Sequence, residues 1–295
     1  MSDTLNIKQS SLFSQTLILI KHRLSFSVVF SSVCSYLIAF DIFSLTTFLL
    51  LIIGGFFVVG SSNGFNQIIE RRRDALMTRT SSRPLPSGVM TVNQALIICS
   101  FLSLLGLTML FVINFRTAIF GLISMIIYLA LYTPLKPVTP LSVFFGAIPG
   151  AIPFMLGWVA VTDRFSIETG ILFMIQFFWQ FPHFWAIGWV SHDDYQNAGF
   201  KMLPSGKRDN ATAFQIVFYT IWMIIVSTLP YFSFTGKLSI GIYSLILLSG
   251  SLMLYQALKL MRYKDKQNAI RLMYASIFYL SFIQIIFVID KFIFQ

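Results

Sequence analysis

The chain has 295 residues, of which 56% are hydrophobic and only 11% are charged, and its formal net charge is +10. Soluble domains carry about 25% charged residues, so this composition excludes an ordinary soluble fold and makes membrane lipid the first partner. Apolar runs close to the roughly 20 residues that cross a bilayer recur along the chain and predict an all-α, polytopic integral membrane protein.

Nine membrane spans are predicted from these runs, with short polar segments between them. The first span follows a polar leader, residues 1–23, and is interpreted as a retained helix because it is longer than the apolar part of a signal peptide. We expect residues 1–295 to form one membrane domain. The predicted spans are 24–44, 46–66, 92–112, 116–133, 141–161, 168–190, 213–234, 238–258 and 271–291.

Basic residues are distributed unequally between the two sides. If the N-terminus is cytoplasmic, 17 of the 21 Lys and Arg residues lie inside, which the positive-inside rule treats as an orientation signal. We therefore predict a cytoplasmic N-terminus and an outside C-terminus. The long polar connections 67–91 and 191–212 are then cytoplasmic and are expected to carry the function. The basic residues left outside are Arg116, Arg164, Lys237 and Lys291.

Oxygen-bearing side chains repeat every four residues where the second span ends. Asn66, Glu70 and Asp74 therefore stack along one face of a helix. Hard oxygen ligands in this register suit a magnesium ion that also holds the phosphate oxygens of a substrate. The sequence thus predicts a site for an anionic, diphosphate-bearing substrate.

Arginines follow these carboxylates along the chain. Arg79 and Arg83 lie four residues apart and are expected on a further stretch of the same helix, which Pro84 ends. Their guanidinium groups could grip diphosphate oxygens bidentately. For the consecutive arginines 71–73, a role in this site and a role as membrane-interface anchors are equally supported. In the second case the neighbouring carboxylates would only neutralise them.

Lys136 lies just after the fourth span. Because Pro134 stops the helix and fixes a turn, the lysine is expected near the headgroup level, where it could meet the same diphosphate. A lone lysine in such a place is also typical of a snorkelling anchor, and this segment by itself favours the anchor.

The sixth span is rich in aromatic side chains. Pro182 should kink the helix, while Trp179 and His183, four residues apart, face the same way. Such a surface suits a flat conjugated ligand. His183 lies roughly 10 Å from the inside end at 1.5 Å per residue, a depth at which ionisable groups tend to be functional. The alternative is a neutral histidine that is hydrogen-bonded to a neighbouring helix.

Two adjacent aspartates follow the sixth span. Asp193 and Asp194 could hold a second metal ion, with Asp193 as the candidate ligand, or could orient a water molecule. They could equally balance the basic residues nearby, so the sequence leaves these hypotheses open.

Several motifs spread over most of the chain match the pattern of one protein family. They are Asn66-x3-Glu70-x3-Asp74-x2-Met77-x-Arg79-Thr80-x2-Arg83-Pro84, Tyr132-Thr133-Pro134-Leu135-Lys136, Trp179 with Pro182-His183-Phe184-Trp185, Asp194-Tyr195, Ala198-Gly199 and Met202-Leu203-Pro204. With them the chain resembles the UbiA superfamily of intramembrane prenyltransferases and, within it, the protohaem IX farnesyltransferases. The first motif is that of the superfamily, and the Pro-His-Phe-Trp run with the later Met-Leu-Pro is specific to the haem branch.

The resemblance implies a UbiA-type helical bundle in a bacterial plasma membrane. The implied reaction transfers farnesyl from farnesyl diphosphate to a vinyl group of haem B, with addition of water, and gives haem O and diphosphate. Magnesium is the implied cofactor, a downstream haem-modifying enzyme or terminal oxidase is a possible partner, and no nucleic-acid partner is expected. The implied catalytic residues are Asn66, Glu70, Asp74, Arg79, Arg83 and Lys136. The implied substrate contacts are Tyr132, Trp179, His183, Trp185, Asp193, Asp194 and Tyr195.

The chain departs from the family pattern at three positions. Glu70 stands where the family usually has Asp, and His22 and Lys201 stand where it has Pro. Whether His183 meets the haem iron or a propionate stays open. Two other functions stay open as well: a UbiA-type enzyme that acts on an aromatic or quinone precursor, and a membrane transporter.

Overall fold

The computed structural model describes residues 11–233 and 238–294, and all regular elements in these ranges are helices. The predicted all-α architecture is therefore confirmed. A π-helical segment, Ile127–Tyr132, joins the fifth and sixth helices. The helices are α1 (Leu12–Leu19), α2 (His22–Ala39), α3 (Leu45–Asp74), α4 (Val92–Ile113), α5 (Phe115–Ile126), α6 (Thr133–Leu135), α7 (Ser142–Thr162), α8 (Ile167–Val190), α9 (His192–Asn197), α10 (Asn210–Thr228), α11 (Pro230–Ser233), α12 (Ile240–Tyr263) and α13 (Lys266–Phe294).

Eight helical segments of the described chain are long and apolar enough to cross a membrane. The sixth of the nine predicted spans, which forms α8, is not among them. Although α8 has 24 residues, its Gln, His, Pro and Trp side chains lower its hydropathy. It packs against α7, α10 and α13, in the interior of the bundle, where polar groups can find partners. The basic residues Lys8 and Lys237 lie outside the described residues.

Helix α3 extends well beyond the predicted span 46–66, as the repeat of its polar residues requires, but it ends at Asp74. The expectation that the same helix continues to Pro84 is wrong. The Thr80 hydroxyl donates a hydrogen bond of 2.7 Å to the Asp74 carbonyl, and the Met77 N–H donates to the same oxygen at 3.3 Å. These bonds satisfy the carbonyl at the helix end and fold residues 75–90 into successive turns.

The leader contains a helix that the sequence analysis does not predict. Helix α1 packs on α3, and the amide of the buried Gln67 donates to the carbonyls of Ile18 and Leu19 at 3.2 and 2.6 Å. These two carbonyls belong to the last turn of α1, and the Ile18 carbonyl also accepts from the Lys21 N–H at 3.1 Å. Gln67 therefore fixes the junction between α1 and α2 against the helix that carries Glu70.

Helices α2 and α7 approach closely at a glycine. A Cβ atom at Gly157 would overlap the backbone oxygen of Ser32 and the hydroxyl of Ser35. One helical turn away, the Ser32 hydroxyl donates to the Pro153 carbonyl at 2.9 Å. Small residues thus let the two backbones come together, as is common between membrane helices.

We expect Gly157→Ala to destabilise the protein, because the added methyl group meets backbone that cannot move aside. Overpacking of this kind costs about 1–3 kcal/mol. Gly170→Ala is the matched control, since nothing lies within 4 Å of a Cβ atom at that helical glycine. Thermal unfolding of both variants in the same detergent checks this, and an equal effect of the two substitutions would contradict the packing argument.

Candidate active site

Asn66, Glu70 and Asp74 lie on one buried face of α3. Their exposed fractions are 1%, 6% and 1%, and the four-residue register that the sequence predicts is present in the helix. The Asn66 amide donates to the Thr133 hydroxyl at 3.1 Å, which connects α3 to the π-helical end of the fourth span. The face therefore points into the bundle and toward the segment that carries Lys136.

Lys136 forms an ion pair with Glu70. Lys136 Nζ lies 2.8 Å from Glu70 Oε1 and 4.4 Å from the centre of the Tyr132 ring. Burial lowers the pKa of Lys136, but the Glu70 carboxylate more than offsets this effect and the pKa is raised. The lysine is therefore buried and protonated at neutral pH, and it does not extend to the headgroups as an anchor would.

Arg83 forms the second ion pair of the site. Arg83 Nη1 lies 2.7 Å from Asp74 Oδ2, because the turns after α3 lead the chain back to the helix end. Arg79 occupies a different place, with its guanidinium 5.9 Å from the centre of the Tyr195 ring. The structure thus joins Arg83 to the carboxylates and Arg79 to the connection 191–212.

Lys21, a basic residue of the leader that is not among the predicted site residues, belongs to the same charge cluster. It has a left-handed backbone conformation, φ 47°, at the junction of α1 and α2. Burial lowers the pKa of Lys21 most, the charges of Arg83 and Lys136 lower it further, those of Glu70 and Asp74 raise it, and the net pKa is about 7. A basic residue before the first span was the only available signal, and it does not distinguish a site residue from an anchor.

The connection 191–212 packs against the segments that carry this cluster. Asp194 accepts hydrogen bonds from the backbone N–H groups of Thr78 and Arg79 at 3.3 and 3.4 Å. Arg73 Nη1 donates to the Ala198 carbonyl at 2.8 Å, so this arginine ties the two long connections together. Asp193 is exposed and lies 3.2 Å from Arg208 Nη2. The two aspartates therefore have different surroundings.

Trp179 and His183 lie together on one face of α8. Their rings stack with centres 4.4 Å apart and an interplanar angle of 16°. Both bond to one residue of α13: Trp179 Nε1 donates to the Ser276 carbonyl at 2.6 Å, and His183 Nδ1 lies 2.8 Å from the Ser276 hydroxyl. The predicted common face of the two residues is thus present in the structure.

Trp185 faces another neighbour. It is buried against Phe181 and Tyr219, with ring centres 5.3 and 5.1 Å away, on the side of α8 that meets α10. Two positions along a helix differ by about 200° in direction, so Trp185 and His183 cannot share a face. Trp185 therefore lies on a different face of α8 from the stacked rings of Trp179 and His183.

The chemistry of the carboxylate face suits a hard metal ion in part. Asp74 Oδ1 is buried and has no hydrogen-bond partner within residues 11–233 and 238–294, so one ligand oxygen is available. Within the same residues, no three His, Cys, Asp or Glu side chains lie close enough to share a metal ion. A metal site here therefore depends on Asn66 as the third protein ligand, together with oxygens of a substrate.

The fold and the site define a class of protein: an integral membrane protein with a buried, ion-paired site at one end of a helical bundle. The chain is 57% identical to a protohaem IX farnesyltransferase of Christiangramia forsetii over 275 residues, which cover 92% of each protein. It is 52% identical to a protohaem IX farnesyltransferase of Flavobacterium psychrophilum, with 96% of each protein covered.

The match to the UbiA prenyltransferase family extends over residues 27–283. The chain belongs to this family, and it is a prenyltransferase.

Solved structures share the fold. A structure of digeranylgeranylglyceryl phosphate synthase superposes with a TM-score of 0.78 at 22% identity and covers 95% of this chain and 98% of its own. A UbiA homologue from Archaeoglobus fulgidus bound to DMAPP and Mg²⁺ gives 0.75 at 15% identity, with 94% and 98% covered.

We expect Arg83→Lys to slow prenyl transfer about tenfold. An ammonium group cannot replace a forked guanidinium that holds two oxygens. The loss of one charged hydrogen bond, roughly 1.5 kcal/mol, corresponds to this factor. Arg72→Lys is the control, because Arg72 is exposed. Initial rates at matched amounts of folded protein check this. Equal effects of the two substitutions would mean that Arg83 is not a substrate-binding residue.

Proposed function

We propose that this chain transfers the farnesyl group of farnesyl diphosphate to a vinyl group of haem B, with addition of water, and so forms haem O. The observation that carries the proposal is the pair of buried ion pairs, Glu70 with Lys136 and Asp74 with Arg83, on one face of α3. The identity of 57% to a protohaem IX farnesyltransferase supports haem as the acceptor, against an aromatic or quinone precursor.

The two ion pairs hold cations ready for a diphosphate. Lys136 is buried and Arg83 is partly buried, each beside a carboxylate of α3, so a diphosphate could take over their charges without a large rearrangement of the helices. Asn66, Glu70 and Asp74 would hold a magnesium ion, which supplies neutralisation of the phosphate oxygens when bound. The exposed Asp193 would add a second such ligand only by leaving Arg208.

The proposed reaction is balanced without a redox step. The bond between the allylic carbon and the diphosphate oxygen breaks, and its electron pair leaves with the diphosphate. The vinyl group of haem supplies the electrons of the new carbon–carbon bond, and water then adds to the cation and loses a proton. Arg83 and Lys136 stabilise the charge that develops on the leaving group, which is their catalytic role.

We propose that the site end of the bundle faces the cytoplasm of a bacterial cell. Most basic residues of the described chain are assigned to that end, with Arg79, Arg83 and Lys136 in the site, while Arg116 pairs with Asp163 at the opposite end of α5 and α7. Such an asymmetry supports this orientation. Haem O would then leave through the bilayer to a haem-modifying enzyme or a terminal oxidase.

Incubation of the purified protein with haem B, farnesyl diphosphate and magnesium tests the proposal. The expected product is heavier than haem B by the elements of farnesol, that is, one farnesyl group and one hydroxyl group. Recovery of unchanged haem, together with prenylation of an added aromatic or quinone precursor, would overturn it.

Asp74→Asn and Glu70→Gln should each lower the rate about a hundredfold or more, which is typical of the loss of one preorganised charged group. Asp163→Asn is the control: it removes an ion pair of the same 2.8 Å length as that of Glu70 but at the other end of the bundle. Rates at saturating magnesium and thermal stability are measured together. Near-normal turnover in both site variants would exclude the metal assignment.

His183→Ala should weaken haem B binding and leave farnesyl diphosphate binding unchanged, because the histidine bonds to α13 and not to the carboxylates of α3. If His183 only stabilises the bundle, both affinities and the thermal midpoint should fall together, since Ser276 loses a partner. Equilibrium binding of each substrate to the same preparation decides between these outcomes.

A further inference from the structure

Ser276 bonds to both stacked rings of α8 and has a third contact in its own helix. Its carbonyl accepts the Trp179 indole N–H, its hydroxyl oxygen lies 2.8 Å from His183 Nδ1, and its hydroxyl donates to the Met273 carbonyl at 2.7 Å. Stacking on Trp179 fixes the plane of the imidazole at the same time. One residue on α13 therefore determines both the place and the orientation of the His183 ring.

These contacts bear on the position of the imidazole proton. The Ser276 hydroxyl has one proton and two neighbours within hydrogen-bond distance: the Met273 carbonyl, which can only accept, and His183 Nδ1, whose role depends on the tautomer. When the Ser276 proton is donated to the Met273 carbonyl within α13, the Ser276 oxygen accepts from His183 Nδ1, which then carries the imidazole proton. A neutral imidazole has one N–H, which leaves Nε2 with a lone pair.

The second nitrogen of the ring is available to a ligand. His183 is partly exposed, whereas Trp179, Phe181 and Pro182 beside it are buried. In the part of the chain that the structure describes, Nε2 has no hydrogen-bond partner, and it is not enclosed as a buried unpaired atom. A ligand could therefore reach Nε2 without displacing a hydrogen-bond partner among the described residues.

We propose that Ser276 is a positioning residue, which holds the proton of His183 on Nδ1 and so presents the Nε2 lone pair to the iron of the haem acceptor. The inference rests on the proposed function and extends it by deciding which part of haem His183 meets. A metal takes a lone pair, while a propionate oxygen needs an N–H donor on the accessible nitrogen. With the proton on Nδ1, the accessible Nε2 presents a lone pair, which suits the metal.

Binding of two porphyrins distinguishes these possibilities. Haem B and metal-free protoporphyrin IX share their propionates and vinyl groups, but only haem B has iron. We expect His183→Ala to weaken haem B binding at least about tenfold, as loss of a partner worth roughly 1.4 kcal/mol would do, and to leave protoporphyrin binding unchanged. Equal weakening of both porphyrins would overturn the inference in favour of a propionate contact.

The role of Ser276 is tested on the wild-type protein first, so a folding defect in a variant cannot hide the result. The chain has three histidines, and ¹⁵N labelling of their rings, with His183→Ala for assignment, reports which nitrogen of His183 carries the proton. A proton on Nδ1 is expected. A proton on Nε2 in the protein without haem would overturn the proposal.

Ser276→Ala should then shift the ¹⁵N signals of His183 and change the absorption spectrum of bound haem B, whereas Ser276→Thr should preserve both because it keeps the hydroxyl. Ser249→Ala is the matched control: Ser249 is a largely buried serine whose hydroxyl also donates to carbonyls of its own helix, α12. A spectrum that is the same for Ser276→Ala and wild type would contradict the positioning role.

The outcome also separates this inference from the proposed function. If the wild-type protein converts haem B to the farnesylated product while His183→Ala affects both porphyrins equally, only the inference fails. If neither porphyrin binds and haem B is recovered unchanged in the presence of farnesyl diphosphate, the proposed function fails, and the assignment of His183 to iron fails with it.

Discussion

The structure depends on the pairing of charges inside an apolar bundle. A single unpaired carboxylate or ammonium group in such surroundings costs several kcal/mol, so Glu70 and Asp74 can be buried on α3 only because Lys136 and Arg83 come to them. Lys136 arrives from the end of the fourth span, and Arg83 arrives through the turns that follow α3. The pairing therefore determines how three distant segments of the chain meet at one end of the membrane.

The same end of the bundle is closed by bonds between backbone and side chains of its long connections. Arg73 binds the Ala198 carbonyl, Asp194 binds two N–H groups after α3, and the N–H of Lys201 donates to the Lys136 carbonyl at 2.7 Å. The last bond ties the connection 191–212 to the residue that pairs with Glu70.

The proposed acceptor half of the site is organised by hydrogen bonds between α8 and α13. Trp179 and His183 project from α8, and α13 supplies hydrogen-bond partners for their polar groups inside the bundle. Ionic pairing suits a diphosphate, which is itself charged, while a stacked tryptophan and a neutral imidazole suit a flat porphyrin. In the proposed function, the two halves would use different interactions for chemically different substrates.

Features that depend on local periodicity and composition can be predicted from the sequence. Hydropathy predicts the spans, the four-residue repeat places Asn66, Glu70 and Asp74 on one face, and the same spacing places Trp179 beside His183. Which groups meet in space is visible only in the folded chain, because Trp179 and Ser276 are 97 residues apart and no local pattern marks Lys21 or Ser276. The end of α3 at Asp74 was mispredicted for the same reason. Its termination depends on a hydroxyl that reaches back from Thr80, and a helical repeat continued along the sequence does not contain that contact.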